Sequence, residues 1–496
     1  MGPTRAAFGP LEGVFLTTRR FVLSLIFLSY GSLSLANTQP ATASDLMSWL
    51  VGGVSSARLA QFVDQHGVTS CNAAERRQLL DAGAEATLLK VACKPHPSTA
   101  KQASHLPDAL VVAAKQARAA HFHDAELSLR QVLAGDPNNS AVHYALAAML
   151  RQQDQWDAAF DEFGEAARLM PDLAENHSAI AYVFYRTGDG ENAIAEARTA
   201  LSLDPKNAEA YQYLGLGFYA IGQYGSSVNA FRESLRNDAA NPDTYYDLGI
   251  SLNAAGDVPG AVEAYRHAIR LRPEFWQAHS NLGLSLHALG KLDDARAEYQ
   301  TARSLAPDEP SVQNNLGNTY CDQGNYDAAI AEFSELYGKH PEWEQGHPCM
   351  ARAYLSRKDY DHAISELEIA VRENPTSSTE HRTLGQVLLL AGKNDDAIRE
   401  LRLAVTLNPD SEAAHHALGT ALFAEQKLPA AETEFREALR LNPSADNHYA
   451  LAACLVNMDR NQEALSELDT AAKLDPQRAL FRARRDELQQ LIHAAH

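Results

Sequence analysis

From about Leu106 onward, the pattern of small, bulky and turn-forming positions repeats every 34 residues. Prolines mark the period at Pro137, Pro171, Pro205, Pro273, Pro307, Pro341, Pro375, Pro409, Pro443 and Pro476. Ala239 fills the one missed slot, and the last interval is one residue short. With each proline set as position 32, position 8 is always small, from Ala113 and Ala147 through Gly215, Gly249, Gly283 and Gly317 to Ala452. Position 20 is small too, from Ala125 to Ala464, and position 24 is bulky in most repeats, as Phe163, Phe231, Tyr265, Tyr299, Phe333 and Phe435 show. This predicts two antiparallel helices per repeat: small residues let them approach closely, and the large one fills the gap between them. Gly188, Gly222, Gly256, Gly290, Gly324 and Gly392 end first helices, while Pro259 and Pro429 open second helices, where a missing N–H is harmless. No repeat can bury its apolar face alone, so residues 106–476 read as one all-α solenoid of eleven stacked repeats. The helix after it, within 477–496, carries Arg478, Arg482, Arg484, Arg485, Asp486 and Glu487 and has the polar character of a terminal cap.

The first-helix residues Tyr211, Leu214, Gly215 and Phe218, with Ser227 and Phe231 in the second helix, resemble the tetratricopeptide repeat motif. The resemblance runs through eleven consecutive repeats, about three quarters of the chain. It implies a right-handed superhelix whose groove, lined by positions 2, 5, 9 and 12 of the first helices, binds an extended segment of a partner protein. Carried over repeat by repeat, the second to fifth repeats supply Tyr144, Arg151, Tyr182, Tyr185, Gln212, Tyr219, Tyr246 and Asn253. The following ones supply Asn281, at the neighbouring position 6, then His287, Asn314, Asn318, Arg352, Arg382 and Gln386. Over all repeats the four positions hold four acids (Glu175, Glu209, Asp243, Asp446) and three bases, so the groove is nearly neutral. Tyrosine rings give contact area at low entropic cost, and amides hydrogen-bond a backbone. Packing between adjacent helices is the competing reading for any one tyrosine. Pro348 falls inside the first turn of its helix and is expected to shift that start and reshape the groove locally.

Ahead of the array, Arg19-Arg20 precedes the apolar run Phe21–Leu28, which fades through Gly31 to Ser34-Leu35-Ala36. A basic start, a short apolar stretch and small residues describe a signal peptide over 1–36, cleaved after Ala36 or, as second choice, Ala43. A retained anchor is the competing reading, but the run is short for a span of about 20 apolar residues, and no stable membrane span is expected after cleavage. Residues 44–95 predict a four-helix module, Asp45–Val51, Ser56–Gln65, Ala73–Ala82 and Glu85–Cys93, with Ser55 and Asn72 as N-caps. Cys71 and Cys93 then lie at the open end of a hairpin and are disulfide candidates in an exported protein. Pro95 and Pro97 make 96–105 a linker. Cys321 and Cys349, in adjacent repeats, are read either as a pair or as lone buried thiols.

Charge narrows the partner. With 63 acidic and 43 basic residues the net charge is −20, which argues against a phosphate-tracking surface and so against nucleic acid. Seven histidines share position 4 (His143, His177, His279, His347, His381, His415, His448), too far apart to gather on one metal, and His121-Phe122-His123-Asp124 sits in a turn. No metal or cofactor is expected. Gly-x-Ser-x-Gly, His-Glu-x-x-His, Cys-x-x-Cys and Gly-rich phosphate loops are absent, and the repeats leave no room for a catalytic domain. The reading is an exported, periplasmic or secreted, non-enzymatic scaffold for a protein or peptide partner, with self-association left open. A glycan-binding or polysaccharide-export accessory using the same groove is the alternative.

Overall fold

The computed structural model describes residues 40–69, 71–93, 106–343 and 345–494, and these form 27 helices. Among the described residues the sole β pairing is an isolated bridge between Ala41 and Val68, and no helix is long and apolar enough to cross a membrane. The expected signal segment and linker lie outside the described residues. The described residues up to Pro273 form one compact body and those from Glu274 a second.

The first body begins with α1 (Ala43–Val51), α2 (Ser56–His66), α3 (Ala73–Asp81) and α4 (Ala86–Ala92). Helix α1 starts two residues before the expected Asp45, because Thr42 and Asp45 form a reciprocal capping box at the N-terminus. Ser55 and Asn72 cap α2 and α3. Cys71 and Cys93 are joined as a disulfide across 22 residues, tying the start of α3 to the end of α4. Leu46, Met47 and Trp49 of α1 are almost fully buried, in one core with Val142, Ala145 and Phe163 of the repeats. The module therefore shares its core with the first repeats.

Ten helices over 108–271 in the first body and twelve over 276–474 in the second pair off as expected, followed by a last helix, Ala479–Ala494. Within a repeat, the small residue at position 8 lies directly under the large one at position 24. A Cβ placed on Gly249 would come within 2.5 Å of the Tyr265 ring, and one on Gly317 within 2.8 Å of Phe333. Position 20 is fully buried in every repeat from Ala125 to Ala464. The turn after each first helix passes through a left-handed residue in all eleven repeats. Six are the expected glycines, and five are Ala120, Asp154, Lys358, Gln426 and Asp459, all with φ between 55° and 58°. The eighth repeat is irregular. Its first helix, His347–Ser356, has 10 residues where its neighbours have 13, and starts from Gly346 at φ 105° with Pro348 in the first turn. Any Cβ on Gly346 would strike Phe333, and Cys321 and Cys349 are bonded beside it.

The position-4 histidines do structural work that spacing alone did not reveal. Each turns Nδ1 toward a glutamate 19 residues on: His143 to Glu162 at 2.6 Å, His177 to Glu196 at 2.7 Å, His279 to Glu298 at 2.7 Å and His347 to Glu366 at 2.6 Å. His381, His415 and His448 pair likewise with Glu400, Glu434 and Glu467. Nε2 of His143, His177, His381 and His415 faces the carbonyl of the preceding Pro137, Pro171, Pro375 and Pro409. One ring thus ties together both helices of its repeat and the loop before it.

Two outcomes follow from this packing. Gly249→Ala is expected to cost about 1–3 kcal/mol in urea unfolding, since the Tyr265 hydroxyl is held by Asn253 at 3.3 Å and the ring has little room to retreat. An unchanged midpoint would show that the ring relaxes freely. The Glu162 hydrogen bond raises the pKa of His143; burial lowers that of His177, but the Glu196 hydrogen bond and charge, with the Pro171 carbonyl, together outweigh it and leave the value raised. Because these folded-state values lie above the ordinary 6.5, the stabilisation is complete below about pH 6.5 and fades as pH climbs through the raised values. Between pH 6 and 9 the wild type should lose stability, by about 1 kcal/mol per pair, and His143→Gln/His177→Gln should lose about 2 kcal/mol less. Parallel pH curves for the two proteins would refute the assignment.

Candidate partner-binding groove

Several first helices touch the first helix of the next repeat side by side, as Ala174–Arg186 does Ala208–Ala220 and as Pro310–Asp322 does His347–Ser356. Successive second helices make no comparable contact among the described residues, so in each body the first helices form the inner face. The sequence-derived positions can be placed on it one by one.

In the first body the tyrosines do not form an evenly open row. Tyr144 is buried, 6% exposed: Gly52, in the turn after α1, lies on its ring, and Phe163 packs edge-on at 5.2 Å. Helix α1 packs on the first helices of the first two repeats, Asp108–Arg118 and Ser140–Arg151, so the module covers this end of the face. Tyr144 is thus removed from any partner's reach. Beyond it lies a half-buried cluster. Tyr182 meets Tyr213 at 5.2 Å and Tyr185 at 6.5 Å, Arg151 sits 5.5 Å over the Tyr182 ring, and Trp156 lies 6.0 Å away. Arg186 stacks on Trp156 at 4.4 Å and donates to the Tyr182 hydroxyl at 3.0 Å. Tyr219 meets Tyr224 at 5.5 Å, and Tyr246 rests 5.9 Å from Tyr265. Asn253 donates to Tyr265, which gives it a packing role.

Gln212 donates to Asp247 of the next repeat at 3.0 Å. Burial pushes the Asp247 carboxyl up to about 7, with Asp243 adding to the shift and the Gln212 bond opposing it. Burial among the rings, with the Asp247 charge nearby, likewise raises Tyr185 above the ordinary phenol range. Position-6 and position-13 residues (Tyr213, Asp247, Arg186), together with Trp156, were not among the sequence-derived set. The first three stand next to positions 5 and 12 along the first helices, where a recurrence of aromatic and charged residues was the available signal; Trp156 opens a second helix.

In the second body the polar positions link neighbouring repeats. His287 contacts Asp322 at 3.0 Å, and Arg352 reaches Asp322 at 2.9 Å and the Cys321 sulfur at 3.2 Å, whereas Arg382 donates to Gln386 at 2.9 Å within its own helix. Asn281 and Asn318 are half-buried. Asn314 is buried, donating to Gln345 at 3.5 Å with its Oδ1 unmatched. Farther on, Gln386, Glu412, His416, Thr420, Asn447 and Tyr449 line a cleft of about 650 Å³. His416 and Thr420 occupy positions 5 and 9 of the tenth repeat, which the sequence-derived set, ending at Gln386, omitted.

The profile of a family described as "Tetratricopeptide repeat" matches residues 178–243, 246–310, 288–344, 350–412 and 416–479, more than half of the chain. No curated protein matches the sequence. Similar solved structures include YrrB, titled "a TPR protein with an unusual peptide-binding site", at 23% identity over 40% of this chain and 97% of that one, TM-score 0.34. Yeast Tom70 is 15% identical over 77% of this chain and 95% of its own, TM-score 0.35. Pseudomonas aeruginosa pilF is 21% identical over 41% and 92%, TM-score 0.37.

Proposed function

The chain belongs to the tetratricopeptide repeat family, and we propose that it is an exported, non-enzymatic scaffold whose inner face holds an extended segment of a partner protein. The observation that carries this reading is the half-buried aromatic cluster around Tyr182, Tyr185, Tyr213 and Tyr219, with Arg151 and Arg186 stacked into it. Rigid rings with one accessible edge bind with little loss of rotamer entropy, and guanidinium groups lying on them stay available for hydrogen bonds. Gln212, the tyrosine hydroxyls and Asp247 supply donors and acceptors suited to an extended backbone. Export is supported by the basic and apolar start of the chain and by two disulfides, which suit an oxidising compartment. We place it on that basis in the cell envelope.

Cross-linking in the source cell followed by identification of the attached protein supplies the ligand for a direct test. Replacing Tyr182, Tyr185 and Tyr219 together by Ala is expected to reduce capture of that protein at least about 30-fold, the loss of roughly 2 kcal/mol, with helical content unchanged by circular dichroism. Phe at the same three places should keep most of the binding. Undiminished capture by the Ala variant would remove the groove assignment, and binding to a glycan array with no protein captured would favour a carbohydrate ligand.

A further inference from the structure

Four first helices carry a carboxylate at position 2: Glu175, Glu209, Asp243 and Asp446. Three of them hold an arginine of this chain. Arg58 of α2 contacts Glu175 at 2.6 Å through Nη2 and 2.9 Å through Nε, and reaches Asp204 at 2.5 Å. Arg272 forms a two-pronged pair with Asp243 at 2.9 and 2.7 Å. Arg478 pairs with Asp446. The two-pronged Arg272–Asp243 pair is the geometry in which guanidinium recognition is strongest. In the fourth case the same pair of acids recurs 34 residues after Glu175 and Asp204, as Glu209 and Asp238. Glu209 makes no direct hydrogen bond or ion pair among the described residues, Arg151 and Arg58 acting on it only through their charge, and Asp238 accepts only the backbone N–H of Ala240 at 3.0 Å. Both side chains are exposed.

Arg58 differs from the other two arginines. It comes from the module, a segment outside the repeats that is laid across the inner face, and it delivers a guanidinium to position 2 from above. Its seat is therefore a worked example, within the same molecule, of how a segment lying on this face is read. We infer that Glu209, with Asp238 beside it, is the seat for an arginine or lysine side chain of the partner's segment, one repeat beyond the place that Arg58 occupies. This rests on the groove-binding reading above and adds the partner's chemistry to it: a basic side chain next to residues that stack on the tyrosine cluster. It also gives the module a second consequence. By holding Glu175 and covering Tyr144, it sets the point at which a partner's segment starts, at Tyr182 and Glu209.

Selection of a random dodecamer peptide library against the intact mature chain tests this without a known ligand. Peptides dependent on Tyr182, Tyr185 and Tyr219 should be enriched in Arg or Lys at one position. Synthetic versions with citrulline at that position should bind about tenfold more weakly. Glu209→Gln should erase the difference between arginine and citrulline, while Glu233→Gln, on a second helix and paired with Arg236, should leave it intact. Tyrosine-dependent peptides without basic enrichment, or an arginine preference that survives Glu209→Gln, would overturn the inference and leave the groove assignment standing. Selection of no tyrosine-dependent peptide at all would overturn both.

Discussion

Everything in this chain depends on how closely two helices can approach inside one repeat. The distance is set by a small residue at position 8 meeting a ring or leucine at position 24, with a fully buried alanine or serine at position 20 alongside. Where the ring is largest the facing residue is glycine, as in Gly249 with Tyr265 and Gly283 with Tyr299. Where position 24 is only alanine, in Ala197, the facing residue is Ala181. The exchange is not strict, since Leu401 meets Gly385 and Phe163 shares its repeat with Ala147. Because each pair is too small to bury both of its faces, the same constraint forces stacking and brings successive first helices into contact.

Stacking creates the polar register seen along the inner face. Links between residues 35 apart, Gln212 to Asp247 and His287 to Asp322, join one first helix to the next within each body. The histidine and glutamate pairs 19 apart fasten the two helices of a single repeat. Where position 4 is Tyr211 or Tyr245, position 23 is Ala230 or Ala264; in the seventh repeat position 4 is Gln313, and Glu332 at position 23 is held by Arg303 instead. Tyr245 instead stacks on His267 at 4.9 Å. A buried carboxylate is kept only with a partner, which is the expected economy of desolvation.

The module changes the meaning of the groove. In the first body the face made by the first helices is occupied at its beginning by α1 and α2, through apolar burial of Leu46, Met47 and Trp49 and through the Arg58 pairs with Glu175 and Asp204. The aromatic cluster starts where that cover stops. An irregular eighth repeat, with its helix shortened by Pro348 and its loop passing over Phe333 at Gly346, breaks the register of the face in the second body.

The sequence alone carries the repeat, its period, the helix pairs and the residues that pack them, because these depend on side-chain size and on spacing along one chain. It also contained the histidine–glutamate pairing, legible at positions 4 and 23 in every repeat but the seventh that keeps a glutamate at 23, although spacing of the histidines alone suggested only packing. What it left undetermined is which groove positions are free. Tyr144 and Tyr182 both sit at inner-face positions, yet one is sealed under Gly52 and the other borders open space. Glu175 and Glu209 share position 2, yet one carries Arg58 in a direct ion pair and the other has no direct pair among the described residues. Those differences arise from contacts between segments more than 80 residues apart, and the 34-residue register carries no information about them. The tertiary structure decided them, because only the docking of the module selects which of several equivalent sites in the repeats are covered.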